Sequence, residues 1–143
     1  PRVENDPAYR AMARAIWAER FAPRPPMPGA PTPEQVAAKQ IDRVVQAVDK
    51  LRARGVQVLF VRHPTAGGYL DFERHAFPRH STWDVLLART GAPGIHFEDH
   101  PELAEGLEFP EWSHMSRDSA ERYTERLYRL LEREHPLPDG RRW

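Results

Sequence analysis

Only two stretches of this chain can serve as strands of a sheet, and that limits what it can fold into. Val56-Gln-Val-Leu-Phe-Val61 is an apolar, β-branched run bounded by breakers, and Gly94-Ile-His-Phe-Glu98 is a second, shorter one. A continuous apolar run such as Val56 to Val61 fits a parallel strand buried on both faces. The surrounding hydrophobic pattern is mostly helical. The order helix, strand, helix, strand, loop, helix predicts a helix-rich α/β layered domain with parallel strands and right-handed crossovers. Two strands make a small sheet for that architecture, so the sheet reads as incomplete.

Asp6 to Phe21 is expected to be an amphipathic helix. Asp6 is its N-cap, Pro7 sits in the first turn, and Tyr9, Met12, Ala13, Ile16 and Trp17 fall near one face. Ala22 to Pro33 is dense in proline and reads as a semi-rigid linker or surface loop. The next helix has the clearest signals. Thr32, Pro33 and Gln35 form a capping box with a first-turn proline, Ile41, Val44, Val45, Val48 and Leu51 recur at helical spacing, and Gly55 ends the element. Arg62 to His80 reads as irregular. Ser81 and Asp84 look like a capping pair for a short helix through Trp83, Leu86 and Leu87, closed by Gly91. After a loop from about Asp99 to Met115, Ser116 caps a last helix with Ala120, Tyr123, Leu127, Leu130 and Leu131 on one face. The chain therefore divides into an N-terminal helix and Pro-rich linker (1–33), an α/β unit (34–135) and a tail (136–143) expected to fray.

At 143 residues the chain suits one compact domain. Its 21 basic and 21 acidic residues cancel, which argues against a nucleic-acid partner, since that would normally demand a basic excess. The absence of cysteine excludes disulfides, thiolate catalysis and Cys-ligated zinc, and suits a bacterial cytoplasm or periplasm equally. No apolar run approaches the ~20 residues that span a bilayer, and no signal peptide is visible in the residues shown. A start at Pro1 fits methionine removal or a chain cut from something longer.

The stretch that carries chemistry is Glu111-Trp-Ser-His114, on the loop before the last helix. A histidine there lies just beyond the C-terminal edge of the last strand, where ligand and catalytic groups collect in open α/β folds. An acidic residue three positions earlier can reach its imidazole, fix the tautomer and stabilise the imidazolium formed when His accepts a proton. The plainer reading has His114 capping or packing against the final helix and Glu111 solvated. Ser113, adjacent to His114, is expected to point elsewhere, and Ser116 and Ser119 are explained as helix-start residues.

With its flanking segments this motif resembles the SGNH/GDSL family of hydrolases and acyltransferases, whose last block, Asp-x-x-His before a C-terminal helix, supplies the acid and base of a Ser-His-Asp triad. Val58-Leu-Phe-Val-Arg-His-Pro64, Phe77-Pro-Arg79 with Trp83-Asp84, Gly94-Ile-His-Phe-Glu-Asp99 with Pro101-Glu-Leu103, and Phe109-Pro-Glu-Trp-Ser-His114 are similar to a bacterial branch of such proteins. The resemblance runs from about Gln35 to Leu131 and implies the C-terminal half of a three-layer, flavodoxin-like SGNH fold. It assigns His114 as general base and then acid, oriented by Glu111. Glutamate stands where the family has aspartate. The family's Gly-Asp-Ser nucleophile block is absent, as are its oxyanion-hole glycine and asparagine blocks; the only asparagine is Asn5.

The resemblance thus implies the C-terminal portion of a serine esterase or O-acyltransferase, inactive by itself, acting on an acylated small molecule or carbohydrate. Its serine would come from a missing N-terminal half or a second chain. A non-enzymatic α/β interaction domain, degenerate from that family and packing on a partner through an exposed apolar sheet edge, is the alternative. Arg62, His63 and Arg79, in a segment also holding Tyr69, Arg74, His75 and His80, could bind an anionic or sugar substrate through Arg forks and stacking; the competing reading is a polar surface loop. No cofactor is expected. Zinc on His63, His75 and His80, or on His96, Asp99, His100 and Glu102, is chemically conceivable, but strand alternation would send His96 and Phe97 to opposite faces.

Overall fold

A computed structural model describes residues 2–22, 25, 27–138 and 143. In chain order the elements are α1 (Arg2–Asn5), α2 (Pro7–Phe21), α3 (Pro33–Arg52), β1 (Phe60–Arg62), α4 (Gly67–Ala76), α5 (Trp83–Thr90), β2 (Gly94–His96) and α6 (Arg117–Glu134), with 3-10 turns at Arg79–Ser81 and Pro101–Leu103. The fold is α/β and helix-rich, around a two-stranded parallel sheet. The register pairs Phe60 with Gly94, Val61 with Ile95 and Arg62 with His96.

The helix ends follow from local chemistry. Asp6 Oδ1 accepts the amides of Ala8 and Tyr9, each at 3.0 Å, and Pro7 occupies the first turn. Thr32 and Gln35 close the expected capping box on α3, at 3.2 and 2.9 Å. The Gly55 amide bonds to Arg52 O at 2.9 Å and the Val56 amide to Leu51 O at 3.0 Å, with Gly55 at φ 77°. This double bond pattern past the helix end demands a left-handed residue, which glycine supplies without a Cβ penalty. It also corrects the expected first strand. Val56 is spent on the α3 exit and is exposed, so β1 begins only at Phe60 and its residues are half-buried rather than enclosed on both faces.

Three further expectations change. Arg62 to His80 is not irregular: it contains α4, which starts at Gly67-Gly68. Thr82, not Ser81, is the N-cap of α5 and makes no side-chain cap bond; Asp84 instead meets Arg79 at 3.3 Å. In α2 the packed side is carried by Trp17 and Phe21, which meet α4, while Met12 and Ile16 of the expected apolar face are exposed. Gly91, in the left-handed region at φ 59°, closes α5 as expected, and Ser116 caps α6. Residues 139–142 of the expected frayed tail, and residues 23, 24 and 26 of the Pro-rich linker, lie outside the described residues.

Alternation along β2 divides the molecule. Ile95 faces α6 and the Pro101–Leu103 turn, where it joins Leu103, Tyr123 and Leu130 in the core. Gly94 and His96 face the other way, toward α5. A Cβ at Gly94 would stand 2.7 Å from both Leu87 and Trp83 side-chain atoms, so only glycine lets α5 lie this close to the sheet. Helix α3 packs beside α5 on that side, where Asp42 takes Arg89 in an exposed ion pair at 2.6 Å.

Candidate active site

Glu111, Ser113 and His114 converge on the loop leading into α6. Glu111 is buried, and its Oε1 lies 2.7 Å from His114 Nδ1 while also accepting the His114 amide at 2.8 Å. Its Oε2 accepts Trp17 Nε1–H at 2.6 Å from α2. Ser113 Oγ reaches both carboxylate oxygens, at 2.9 and 2.8 Å. The carboxylate is therefore surrounded by donors. Burial pushes the Glu111 carboxyl up, but the bonds from Trp17, Ser113 and the ring and amide of His114 outweigh it and hold the group below the ordinary glutamate range.

The His114 side chain is 83% exposed. Nδ1, held against Glu111, carries the proton, so Nε2 is the basic nitrogen, and no described residue bonds to it. A carboxylate-oriented imidazole with an open Nε2 can take a proton from an approaching hydroxyl and return it to a leaving group. Ser113 cannot be that hydroxyl. Contrary to the expectation that it points elsewhere, its Oγ lies 2.8 Å from His114 Nδ1, the nitrogen already committed to Glu111. It buttresses the pair instead.

Backbone geometry makes the convergence possible. Trp112 has φ 78°, a left-handed conformation that costs a bulky residue of order 1–3 kcal/mol. Its neighbours fix it there. The Trp112 carbonyl accepts the Ala66 amide at 2.9 Å, and the indole lies over Gly67 and Gly68 at the start of α4. A Cβ on Gly67 would sit 2.6 Å from Trp112 Nε1, so the Gly-Gly pair is the space the indole occupies. Arg14 of α2 donates to Pro110 O at 2.9 Å, and its guanidinium lies 5.6 Å from the Trp112 ring. The N-terminal helix is thus part of the site's frame.

Arg62, His63 and Arg79 do not join this cluster. Arg62 pairs with Glu73 at 2.6 Å. His63 Nδ1 takes Tyr123 O–H at 2.6 Å, and burial together with neighbouring Arg62 lowers the His63 pKa, favouring the neutral ring. Burial pushes the Tyr123 phenol up to about 12, which keeps it a donor. Arg79 grips Asp99 with two bonds of 2.7 Å, holding the Asp99 carboxyl below its usual range. Arg62 and Arg79 do line one cavity of about 650 Å³ between α3, α4 and α5, beyond β1 and β2, and neither His63 nor His114 belongs to it. Among the described residues no three His, Asp or Glu side chains are grouped to hold a metal ion. Phe97 joins Ile95 in the core cluster, as alternation along the strand expects, while its ring also stacks on His96 at 5.2 Å.

The sequence puts Glu111 and His114 within reach of each other, as the structure has them, but gives no sign of their supports. Trp17 reads only as a core aromatic; the usable signal is that a packed indole needs an acceptor for its N–H, and a nearby carboxylate is a strong one. No helix among the described residues is long and apolar enough to cross a membrane. No protein-family model, curated protein or solved structure matches this chain.

Proposed function

We propose that this chain carries the acid–base half of an acyl-transfer site of the SGNH type, acting in ester hydrolysis or O-acyl transfer. One observation supports the reading above the rest: an imidazole whose Nδ1 is 2.7 Å from a buried carboxylate while its Nε2 stays open. His114 Nε2 takes the proton of a serine hydroxyl as that oxygen adds to the ester carbonyl. It then gives the same proton to the departing alkoxide, leaving an acyl-serine. Water or a carbohydrate hydroxyl attacks the acyl-serine by the same proton traffic in reverse. Glu111 stays ionised and offsets the imidazolium charge. The serine is supplied by sequence outside these 143 residues or by another chain.

The test is fluorophosphonate labelling and aryl-acetate hydrolysis by the protein as its native gene makes it. Labelling of one serine, with turnover falling at least about a thousandfold in His114→Ala, is expected, since the members of such a triad act as a unit. The 143 residues by themselves should show no turnover. Hydrolysis that is indifferent to His114, or no reactive serine at all, overturns the reading.

A further inference from the structure

The cavity of about 650 Å³ on the α3–α5 side is separate from the Glu111–His114 pair, and its chemistry is specific. Its size falls within the usual range of small-molecule sites, roughly 300–1,000 Å³. Val44, Leu70, Phe77, Trp83, Leu86 and Phe97 give it apolar walls. Three arginines line it, and each is neutralised where it stands: Arg62 by Glu73, Arg74 by Glu98 and Arg79 by Asp99, with shortest contacts of 2.6, 2.6 and 2.7 Å. No cation is left over to receive an anionic ligand, and the carboxylates are equally engaged against a cationic one.

Gln40 and His80 also line the cavity, but both are exposed; among its buried lining side chains one polar group remains available. His96 is buried, wedged between the edge of Trp83 at 5.3 Å and the stacked ring of Phe97 at 5.2 Å. Burial, followed by Arg79 and Arg62, lowers its pKa, so the ring is held neutral. Its Nδ1 accepts the Glu98 amide at 3.2 Å. A neutral imidazole whose Nδ1 accepts must carry its proton on Nε2. No described residue takes that proton, and no fully enclosed side-chain polar atom among the described residues lacks a partner. Nε2–H is therefore not fully enclosed, and the space that His96 lines is this cavity.

We propose that this cavity binds an uncharged, mainly apolar small molecule bearing one hydrogen-bond-accepting oxygen, which receives the Nε2–H of His96. With the arginines held in ion pairs no unpaired charge is offered to an ion of either sign, the aromatic and aliphatic walls take the body of the ligand, and His96 sets its orientation. The assignment is independent of the acyl-transfer reading, because the cavity shares no residue with the Glu111–His114 pair.

The probe is prodan, an uncharged naphthyl ketone whose emission shifts to the blue when it is enclosed. Saturable one-to-one binding to the full chain is expected. His96→Phe keeps an aromatic ring but removes the donor, and should weaken binding about tenfold, the equivalent of one net hydrogen bond; His96→Gln restores a donor and should recover part of it. Val36→Trp, at an exposed position on the rim, should block entry without touching the core. 2-Ethylnaphthalene, which lacks the acceptor, should compete about tenfold less well than 2-acetylnaphthalene, and 2-naphthoate should compete least. His114→Ala should leave binding unchanged. Absence of binding, indifference to His96→Phe, preference for naphthoate, or loss of the prodan signal as the chain self-associates each overturns the proposal; the last would mean that a second copy covers this face.

Discussion

The two sides of the small sheet are finished differently. On the α6 side, Ile95, Leu103 and Leu130 are 0, 0 and 1% exposed, and they interlock with Tyr123. On the α3–α5 side, Ile41 and Val48 of α3 are buried, but Val44 and Leu86 open onto the cavity and are only half-buried. The difference begins in β2, where Ile95 is apolar and its neighbours are Gly94 and His96. Leu87 and Trp83 of α5 close over Gly94, and His96 lines the space that remains. One side of the sheet supplies cohesion; the other leaves room.

The contrast can be broken by mutation. Leu103→Ala or Leu130→Ala should cost about 3–5 kcal/mol in chemical denaturation, because a rigid surround leaves the cavity unrepaired. Val44→Ala or Leu86→Ala should cost about 1 kcal/mol or less, since water already reaches that wall. Equal losses on the two sides would end the distinction.

Gly67→Ala comes next in size. At φ 49° and with Trp112 where its Cβ would go, it should lose about 2–3 kcal/mol. In a Trp112→Ala background the same change should cost markedly less, and a double-mutant cycle reads the coupling. Additivity there would mean that the indole is not what fixes the start of α4.

Glu111→Gln should remove about 1–2 kcal/mol at pH 7, because charge-assisted bonds become neutral ones. The sign of its pH dependence follows from a folded pKa below the ordinary 4.5. The carboxylate's contribution is complete above pH 4.5 and is lost as pH falls through the lower folded value. The stability of Glu111→Gln should therefore slope less than wild type below pH 4.5, as urea titrations across that range would show. The smallest effect belongs to the surface: Arg89→Ala, which breaks the exposed pair with Asp42, should change stability by less than about 0.5 kcal/mol.

Most local signals hold, although the expected Ser81–Asp84 cap does not form and α4 lies in a stretch that reads as irregular. The Thr32–Gln35 box, the Gly55 exit, the Gly91 stop and the Ser116 cap are contacts between residues a few positions apart, so the chain specifies them before it packs. Glu111 and His114 were legible for the same reason: three residues of separation already put acid and base within reach. Their surroundings were not. Trp17 contributes the third side of the carboxylate from 94 positions away, and nothing in its local sequence says where α2 will lie. Likewise nothing local marks Gly67-Gly68 as the start of a helix until the Trp112 indole is seen occupying the missing side chains. Sequence by itself determined the ends of α2, α3 and α6, the parallel pair of strands and the acid–base spacing, because short-range hydrogen bonding and periodicity decide those. Tertiary structure alone decided which faces close, which donors reach Glu111 and where the cavity lies, because these depend on packing between segments far apart along the chain.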